Sequence, residues 1–87
     1  MRFKSFEWDE TNINHTAAHG VAPTEAEETC SRKALILKSR QNRYYVLGQT
    51  DDGRYLTVII QPKFFGRIRV ITARDMTAVE RHRYQRR

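Results

Sequence analysis

Arginines are the side chains of this sequence best suited to chemistry on a charged ligand. Eleven of them lie between Arg32 and Arg87. A guanidinium group is planar and can hold a phosphate through two parallel hydrogen bonds. Residues 32–87 carry 14 basic and four acidic side chains, whereas residues 1–31 carry two basic and six acidic ones. We therefore expect a nucleic-acid partner, with a solvated basic surface as the alternative.

Tyrosines are interleaved with these arginines. The rings of Tyr44, Tyr55 and Tyr84 could stack on bases while the guanidinium groups contact phosphates. An antiparallel sheet with one half-solvated face would show the same mixture without a ligand. The pattern alone leaves both interpretations open.

The length of 87 residues suits one domain, residues 1–87, and is too short for a two-domain enzyme with a cofactor cleft. The longest apolar run, Leu56–Ile60, has the length of a strand, whereas a membrane-spanning helix needs roughly 20 residues. The single cysteine, Cys30, excludes an internal disulfide and is typical of a reducing compartment. No Cys/His spacing suits zinc, so we expect no metal and no cofactor. The first nine residues lack the apolar stretch of a secretory signal, so we expect a cytoplasmic location.

Local signals predict a short strand and three helices. Asp9 is a good N-cap for a helix from about Glu10 to His19, and Gly20 suits its end. Two T-x-x-E boxes, Thr24–Glu27 and Thr77–Glu80, predict helices that end near Ser31 and Gln85. The predicted short strand is an aromatic segment before the first helix that contains Phe3, Phe6 and Trp8.

Four further segments read as strands joined by short turns, which favours an antiparallel meander. The Asp51–Arg54 segment contains Asp-Gly, a strong hairpin signal. The predicted strands are Ala34–Lys38, Arg43–Thr50, Tyr55–Gln61 and Arg67–Ala73. The fold class is therefore α+β, with two N-terminal helices, an antiparallel sheet of about four strands and a C-terminal helix.

Alternation along the strands predicts which face is buried. Leu56, Val58 and Ile60 should share an apolar face that packs on helices. In the last strand, Ile68, Val70 and Thr72 should lie on one face and Arg67, Arg69 and Ile71 on the other.

Several motifs together resemble one family. The joint occurrence of these motifs is specific, although each alone would be weak. They are Phe6-Glu7-Trp8-Asp9, His19-Gly20-Val21, Gly53-Arg54-Tyr55-Leu56, the strand Arg67–Arg74 and Glu80-Arg81-x-x-Tyr84. Over nearly the whole chain, the sequence resembles the BrnT-like toxins.

The resemblance implies a RelE-like fold and a ribonuclease toxin of a type II toxin–antitoxin module. Such a toxin would be a metal-independent endoribonuclease that cleaves RNA and inhibits translation. The implied partners are RNA and a small cognate antitoxin with a DNA-binding domain, through which the complex would bind operator DNA. A toxin homodimer within that assembly is a further expectation, and no membrane partner is expected.

Metal-free RNA cleavage needs a base for the ribose 2′-OH, a cation for the charge that develops on the phosphorus, and an acid for the leaving oxygen. Arg69 and Arg74 match family motif positions and are the candidate cations, and we expect them to converge on one pocket. An ion pair of Arg74 with Asp75 or Glu80 is the alternative. His19 is a candidate base or acid because histidine titrates near neutrality, or else it serves the end of the first helix. Glu80 completes the catalytic candidates, with helix capping as its alternative role.

The candidate RNA-binding residues surround these positions. Arg54 could contact the RNA backbone or merely decorate a turn, and Tyr84 could stack on a base or pack in the core. The full set is Arg54, Tyr55, Arg67, Arg81 and Tyr84. Since no acid–base pair is in obvious register, a non-catalytic module of the same fold that binds nucleic acid or a partner protein is the alternative function.

Overall fold

Residues 5–87 are described by a computed structural model, in which a mixed sheet has helices on both faces. Phe3 of the predicted aromatic segment lies outside the described residues. The described elements, in chain order, are β1 (Ser5–Glu7), α1 (Glu10–Ala18), α2 (Pro23–Ser31), β2 (Leu35–Lys38), β3 (Tyr44–Gln49), β4 (Tyr55–Pro62), β5 (Arg67–Asp75) and α3 (Ala78–Gln85), with a short 3-10 turn at Phe64–Gly66. Within this part of the chain, no helix is long and apolar enough to cross a membrane.

The sheet has five strands in the order β1-β5-β4-β3-β2, so the prediction of about four antiparallel strands was incomplete. The fifth strand is β1, the short strand predicted before the first helix, and it pairs in parallel with β5 through Ser5 and Arg67, Phe6 and Ile68, and Glu7 and Arg69. β1 has only three residues, and its partner is about 60 positions away along the chain. No local pattern encodes such a pairing, whereas the hairpins β2–β3 and β3–β4 follow from nearby turn signals.

The hydrophobic core lies between the sheet and the helices α1 and α2. Leu56, Val58 and Ile60 of β4 are fully buried, as predicted, and form one cluster with Val21 and Ala26 from the helical side. Because side chains alternate along a strand, Thr57 lies on the other face, where α3 covers it.

The alternation in β5 is interrupted by a β-bulge. Ile59 of β4 lies opposite Thr72, whereas the next residue, Ile60, lies opposite Val70. One extra residue in β5 at this point reverses the faces on which the following side chains lie. Ala73 therefore joins Val70 in the core, and the prediction that Thr72 shares the face of Val70 was wrong.

Two of the three helix starts follow the predicted capping. The Asp9 side chain accepts a hydrogen bond from the backbone N–H of Asn12, and Thr77 and Glu80 form a capping box. The predicted box at Thr24 and Glu27 does not form. α2 begins instead at Pro23, and the Glu25 carboxylate accepts a bond of 3.0 Å from the Ala22 N–H. Proline suits the first helical position because its φ angle is already helical, and the N-cap of α2 is therefore Ala22, two residues before the predicted Thr24.

Candidate nucleic-acid interface

An ion pair between the end of β5 and the start of α3 is the centre of the candidate site. Arg74 donates to both carboxylate oxygens of Glu80, over 2.7 and 2.9 Å. Thr57, which lies opposite Arg74 in the sheet, donates its hydroxyl to Glu80 Oε1 over 2.9 Å. The side chain of Arg74 keeps 28% of its surface exposed. We call Thr57, Arg74 and Glu80 the α3 cluster.

The electrostatics of the α3 cluster fix the charge state of both partners. The hydrogen bonds from Arg74, aided by the Thr77 N–H and the Thr57 hydroxyl, lower the pKa of Glu80 to about 2. The same bonds raise the pKa of Arg74 above its ordinary value. At neutral pH, Glu80 is therefore a carboxylate with little tendency to take up a proton, and Arg74 is a cation held in a fixed direction.

Two arginines and two tyrosines form a row beside the α3 cluster, with the arginines at its ends. The guanidinium carbon of Arg81 lies 3.9 Å from the centre of the Tyr55 ring, and that of Arg87 lies 3.8 Å from the centre of the Tyr84 ring. The two tyrosines meet edge to face, with their ring centres 5.9 Å apart. We call Arg81, Tyr55, Tyr84 and Arg87 the Arg–Tyr row. Each guanidinium is positioned by a ring and still faces solvent, which suits contacts with phosphates.

Tyr84 has little ring surface available for the predicted stacking on a base, because the residue is 96% buried. Its hydroxyl donates to Gln49 Oε1 over 3.3 Å. Tyr55 is half-buried, and Arg81 covers one face of its ring.

Arg54 connects the hairpin to α2 and to the end of β5. It donates to the carbonyl oxygen of Gly20 over 2.8 Å and to Asp75 over 3.1 Å, and it lies 3.3 Å from the Glu25 carboxylate. Asp75 follows Arg74 directly, so Arg54 borders the α3 cluster. His19 is the C-cap residue of α1, next to Gly20, and it is exposed.

Arg67 and Arg69 belong to a second group at the β1 edge of the sheet. Arg69 binds Asp9 over 2.8 Å and Glu7 over 3.1 Å, and Arg67 lies 3.4 Å from Glu7. The hydrogen bonds from Arg69 lower the pKa of Asp9, and those from Asp9 and Glu7 raise the pKa of Arg69. Arg69 is thus tied to the segment that leads into α1.

The structure brings together five of the nine predicted site residues: Tyr55, Arg74, Glu80, Arg81 and Tyr84. Arg54 and His19 adjoin this group through Asp75 and Gly20. Arg69 lies five residues from Arg74 along β5, which corresponds to at most roughly 16 Å at about 3.3 Å per residue. The two arginines expected to converge on one pocket therefore lie in separate ion-paired groups.

Three contributing residues were not among the predicted ones. Thr57 alternates with the buried Leu56 and Val58 of β4, but its contact with Glu80 depends on where α3 packs. Gln49 and Arg87 both reach the site through Tyr84. The alternation of β3 and β4 would have pointed to Thr57 and Gln49, whereas nothing local indicated Arg87.

Two comparisons with known proteins place this geometry in context. Residues 8–80 match the family described as the ribonuclease toxin, BrnT, of a type II toxin–antitoxin system. A crystal structure of the Brucella abortus ribonuclease toxin, BrnT, superposes with a TM-score of 0.68 over 84% of this chain and 96% of that chain, at 22% sequence identity. No curated protein matches the sequence significantly.

Proposed function

The chain belongs to the BrnT family of ribonuclease toxins from type II toxin–antitoxin systems, and from this premise we propose that it cleaves RNA at the α3 cluster. Membership implies an RNA substrate and an antitoxin partner. The observation that carries the location is the Arg74–Glu80 pair, which holds a partly exposed guanidinium in one direction beside the Arg–Tyr row.

In the proposed reaction, the 2′-OH of a ribose attacks the adjacent phosphorus, and the bond to the 5′-oxygen breaks. Arg74 stabilises the negative charge that develops on the phosphoryl oxygens, because its guanidinium is already oriented and needs no rearrangement. Glu80 is a positioning residue that holds Arg74, since a carboxyl group with a pKa of about 2 is a weak base near neutrality. Arg81 and Arg54 contact neighbouring phosphates.

We assign proton transfer to His19. This residue precedes Gly20, whose carbonyl oxygen accepts a hydrogen bond from Arg54. Arg54 also binds Asp75, which follows Arg74 in the chain. A His19→Gln variant should lose cleavage activity. His15→Gln is the matched control, because His15 is also exposed on α1. Equal losses in both variants, or none in His19→Gln, would exclude His19 from the reaction.

The decisive experiment incubates purified protein with total RNA in the presence of EDTA. Defined fragments are expected, because we propose that Arg74 supplies the positive charge and cleavage needs no metal. Arg74→Ala should reduce the rate by about 100-fold or more, whereas Arg83→Ala, an exposed arginine on α3, should leave it unchanged. The double variant Arg74→Ala/Glu80→Ala removes both partners of the pair. It therefore distinguishes the loss of the Arg74 cation from the effect of an unpaired Glu80 carboxylate. A folded Arg74→Ala protein with wild-type activity would refute the proposed site.

Arg69 and Arg67 stay predicted site residues with a test of their own. If Arg69 contacts RNA, Arg69→Ala should lower cleavage without lowering the midpoint of unfolding. If its ion pairs with Glu7 and Asp9 only fasten β1 and α1, activity and stability should fall together. Arg67→Ala, whose contact with Glu7 is longer, provides the comparison.

Two further proposals concern the protein in the cell, namely its effect on translation and its assembly with the antitoxin. We propose that RNA cleavage inhibits translation, which incorporation of labelled amino acids after induction would measure. We also propose that the antitoxin complex binds operator DNA and contains a toxin homodimer, which mobility shift and light scattering would measure.

A non-catalytic binding module is the second candidate function, and one observation favours it. Arg69 and Arg74 are both paired with carboxylates, so neither presents a fully free cation to a phosphate. If RNA is bound by the wild-type protein but stays intact under all conditions tested, the binding function holds and the ribonuclease does not.

A further inference from the structure

A cavity of about 190 Å³ lies beside the Arg–Tyr row, where the residues after α2 approach the end of β3 and the end of α3. Three of its five lining residues are cations, and none is acidic: Arg32, Lys33, Gln49, Tyr84 and Arg87. We propose that this cavity is a second RNA subsite, which binds a backbone phosphate of the strand held at the α3 cluster. The inference rests on the proposed function and adds Arg32, Lys33 and Arg87, which neither the motifs nor the reaction require.

Arg87 is the most firmly positioned cation of the cavity. Its guanidinium lies over the Tyr84 ring at 3.8 Å and donates to the Tyr84 carbonyl oxygen over 2.7 Å. One N–H is thus used for anchoring, and the others face solvent. A cation fixed in this way loses little side-chain entropy when it binds a phosphate.

Arg32 and Lys33 are available to an anion. Lys33 is exposed and forms no ion pair with any residue in the range 5–87. Arg32 pairs with Asp51 over 3.1 Å, but the two side chains are 52% and 64% exposed. A pair this exposed is weak and uses only Nη1, so Nη2 and Nε of Arg32 can bind a phosphate.

Gln49 provides a neutral donor between the cations. Its Oε1 accepts from the Tyr84 hydroxyl over 3.3 Å, and its Nε2 donates to the Gly53 carbonyl oxygen over 3.2 Å. These two contacts fix the orientation of the amide and leave one Nε2 hydrogen for a ligand. Cations with a neutral donor form a lining suited to a phosphate.

The acidic side chains on the other side of Arg32 limit the path of the bound RNA. An adjacent cavity of about 330 Å³ is lined by Glu27, Glu28 and Asp51 as well as Arg32. Carboxylates repel phosphates, so the bound RNA should run from the α3 cluster over Tyr84 and Arg87 to Lys33 and should not extend beyond it.

The test uses fluorescence anisotropy with a short 2′-O-methyl RNA, which cannot be cleaved because the attacking hydroxyl is blocked. Lys33→Gln and Arg87→Gln should each raise Kd by about 5–20-fold at low salt and reduce the salt slope by about 0.7–1. The matched controls are Lys63→Gln and Arg40→Gln, which remove one charge each at the turns of the opposite sheet end. The controls are compared at about 0.1 M salt, where charges more than roughly 10 Å apart are largely screened, and the Kd of each should stay within about 2-fold of the wild-type value.

A single-stranded DNA of the same sequence identifies the group that is bound. Phosphate contacts ignore the 2′ position, so the variants should lose affinity for DNA by the same factor. A loss confined to RNA would refute the phosphate assignment. Wild-type affinity in Lys33→Gln, which disturbs no internal contact, would overturn the subsite even if the protein cleaves RNA. A protein that shows the expected binding losses but never cleaves would refute the ribonuclease and retain the subsite.

Discussion

Asn12 donates a hydrogen bond of 2.8 Å to the carbonyl oxygen of Val70, and this bond joins α1 to β5 across 58 positions of sequence. The same amide donates to the Glu7 carbonyl oxygen over 2.8 Å, and its oxygen accepts from the Asp9 N–H over 2.7 Å. β1 ends at Glu7, so Asn12 satisfies backbone groups just where the parallel pairing stops. This buried side chain therefore has a structural role at the β1 edge of the sheet, apart from the α3 cluster.

Replacing Asn12 with alanine should lower the free energy of unfolding by about 2–3 kcal/mol, because buried carbonyl groups lose their donors. Denaturant unfolding monitored by circular dichroism measures the change. Asn14→Ala is the control on the same helix, and its exposed side chain should matter by less than about 0.5 kcal/mol. Equal stability of the two variants would contradict the role assigned to Asn12.

Acid should destabilise the protein through Glu80. Its pKa of about 2 in the folded state lies below the ordinary value of 4.5, so the carboxylate stabilises the fold above pH 4.5. This contribution, at most about 3 kcal/mol, is lost as the pH falls from 4.5 towards 2. Asp9 titrates in the same direction, so the readout is the difference between wild type and Glu80→Gln.

Thermal unfolding at intervals between pH 2 and 6 measures that difference. Glu80→Gln should be less stable than the wild type at pH 6 and should converge with it near pH 2. Glu10→Gln, an exposed carboxylate in the first turn of α1, should instead run parallel to the wild type. A constant gap between wild type and Glu80→Gln across the range would exclude the ion pair with Arg74 as the cause.

The Cys30 thiol should be unreactive in the folded protein. Burial, with a smaller contribution from the charge of Glu27, raises its pKa to about 12. The reactive thiolate is therefore scarce and inaccessible, and modification should require opening of the fold. In a Ser31→Cys variant, the exposed new thiol should react with a disulfide reagent at least about 100-fold faster than Cys30. Two equally fast thiols in that variant would contradict the burial.

Phe65 should be replaceable by glycine with a gain in stability. Its φ angle is 62°, in the left-handed region that costs a non-glycine residue about 1 kcal/mol, and its side chain is 88% exposed. Phe65→Gly should therefore raise the free energy of unfolding by about 0.5–1 kcal/mol. Phe64→Gly is the matched control, since Phe64 is equally exposed but its φ angle is negative. Thermal melting compares the two, and a greater gain in Phe64→Gly would rule out backbone strain as the cause.

The features of the fold that could be predicted from the sequence are those that depend on residues close together in the chain. The N-caps at Asp9 and Thr77 and the hairpin turn at Gly53 depend on residues within a few positions of each other. The short strand β1 and the bulge at Ile59 and Ile60 depend on pairings between distant segments. Periodicity carries no information about those pairings, so the sheet was predicted one strand short and Thr72 was placed on the wrong face.

The same distinction applies to the candidate site. The pair between Arg74 and Glu80 could be foreseen as an alternative, because six positions separate them across a strand end and a helix start. The separation of Arg69 from Arg74 could not, because it depends on carboxylates that β1 and α1 bring to the sheet edge. The cavity at Lys33 requires α3 to pack beside the end of α2, which no motif specifies.

The parallel pairing of β1 with β5 also determines how late in the synthesis of the chain the sheet can close. The segment Ser5–Glu7 leaves the ribosome early but cannot find its neighbour until Arg67–Arg69 have been made. Arg74 and Glu80 follow later still, so a chain that stops before β5 has an unclosed sheet and no α3 cluster. The sheet, and the ion pair that orients Arg74, therefore become complete only after β5 and α3 have been translated.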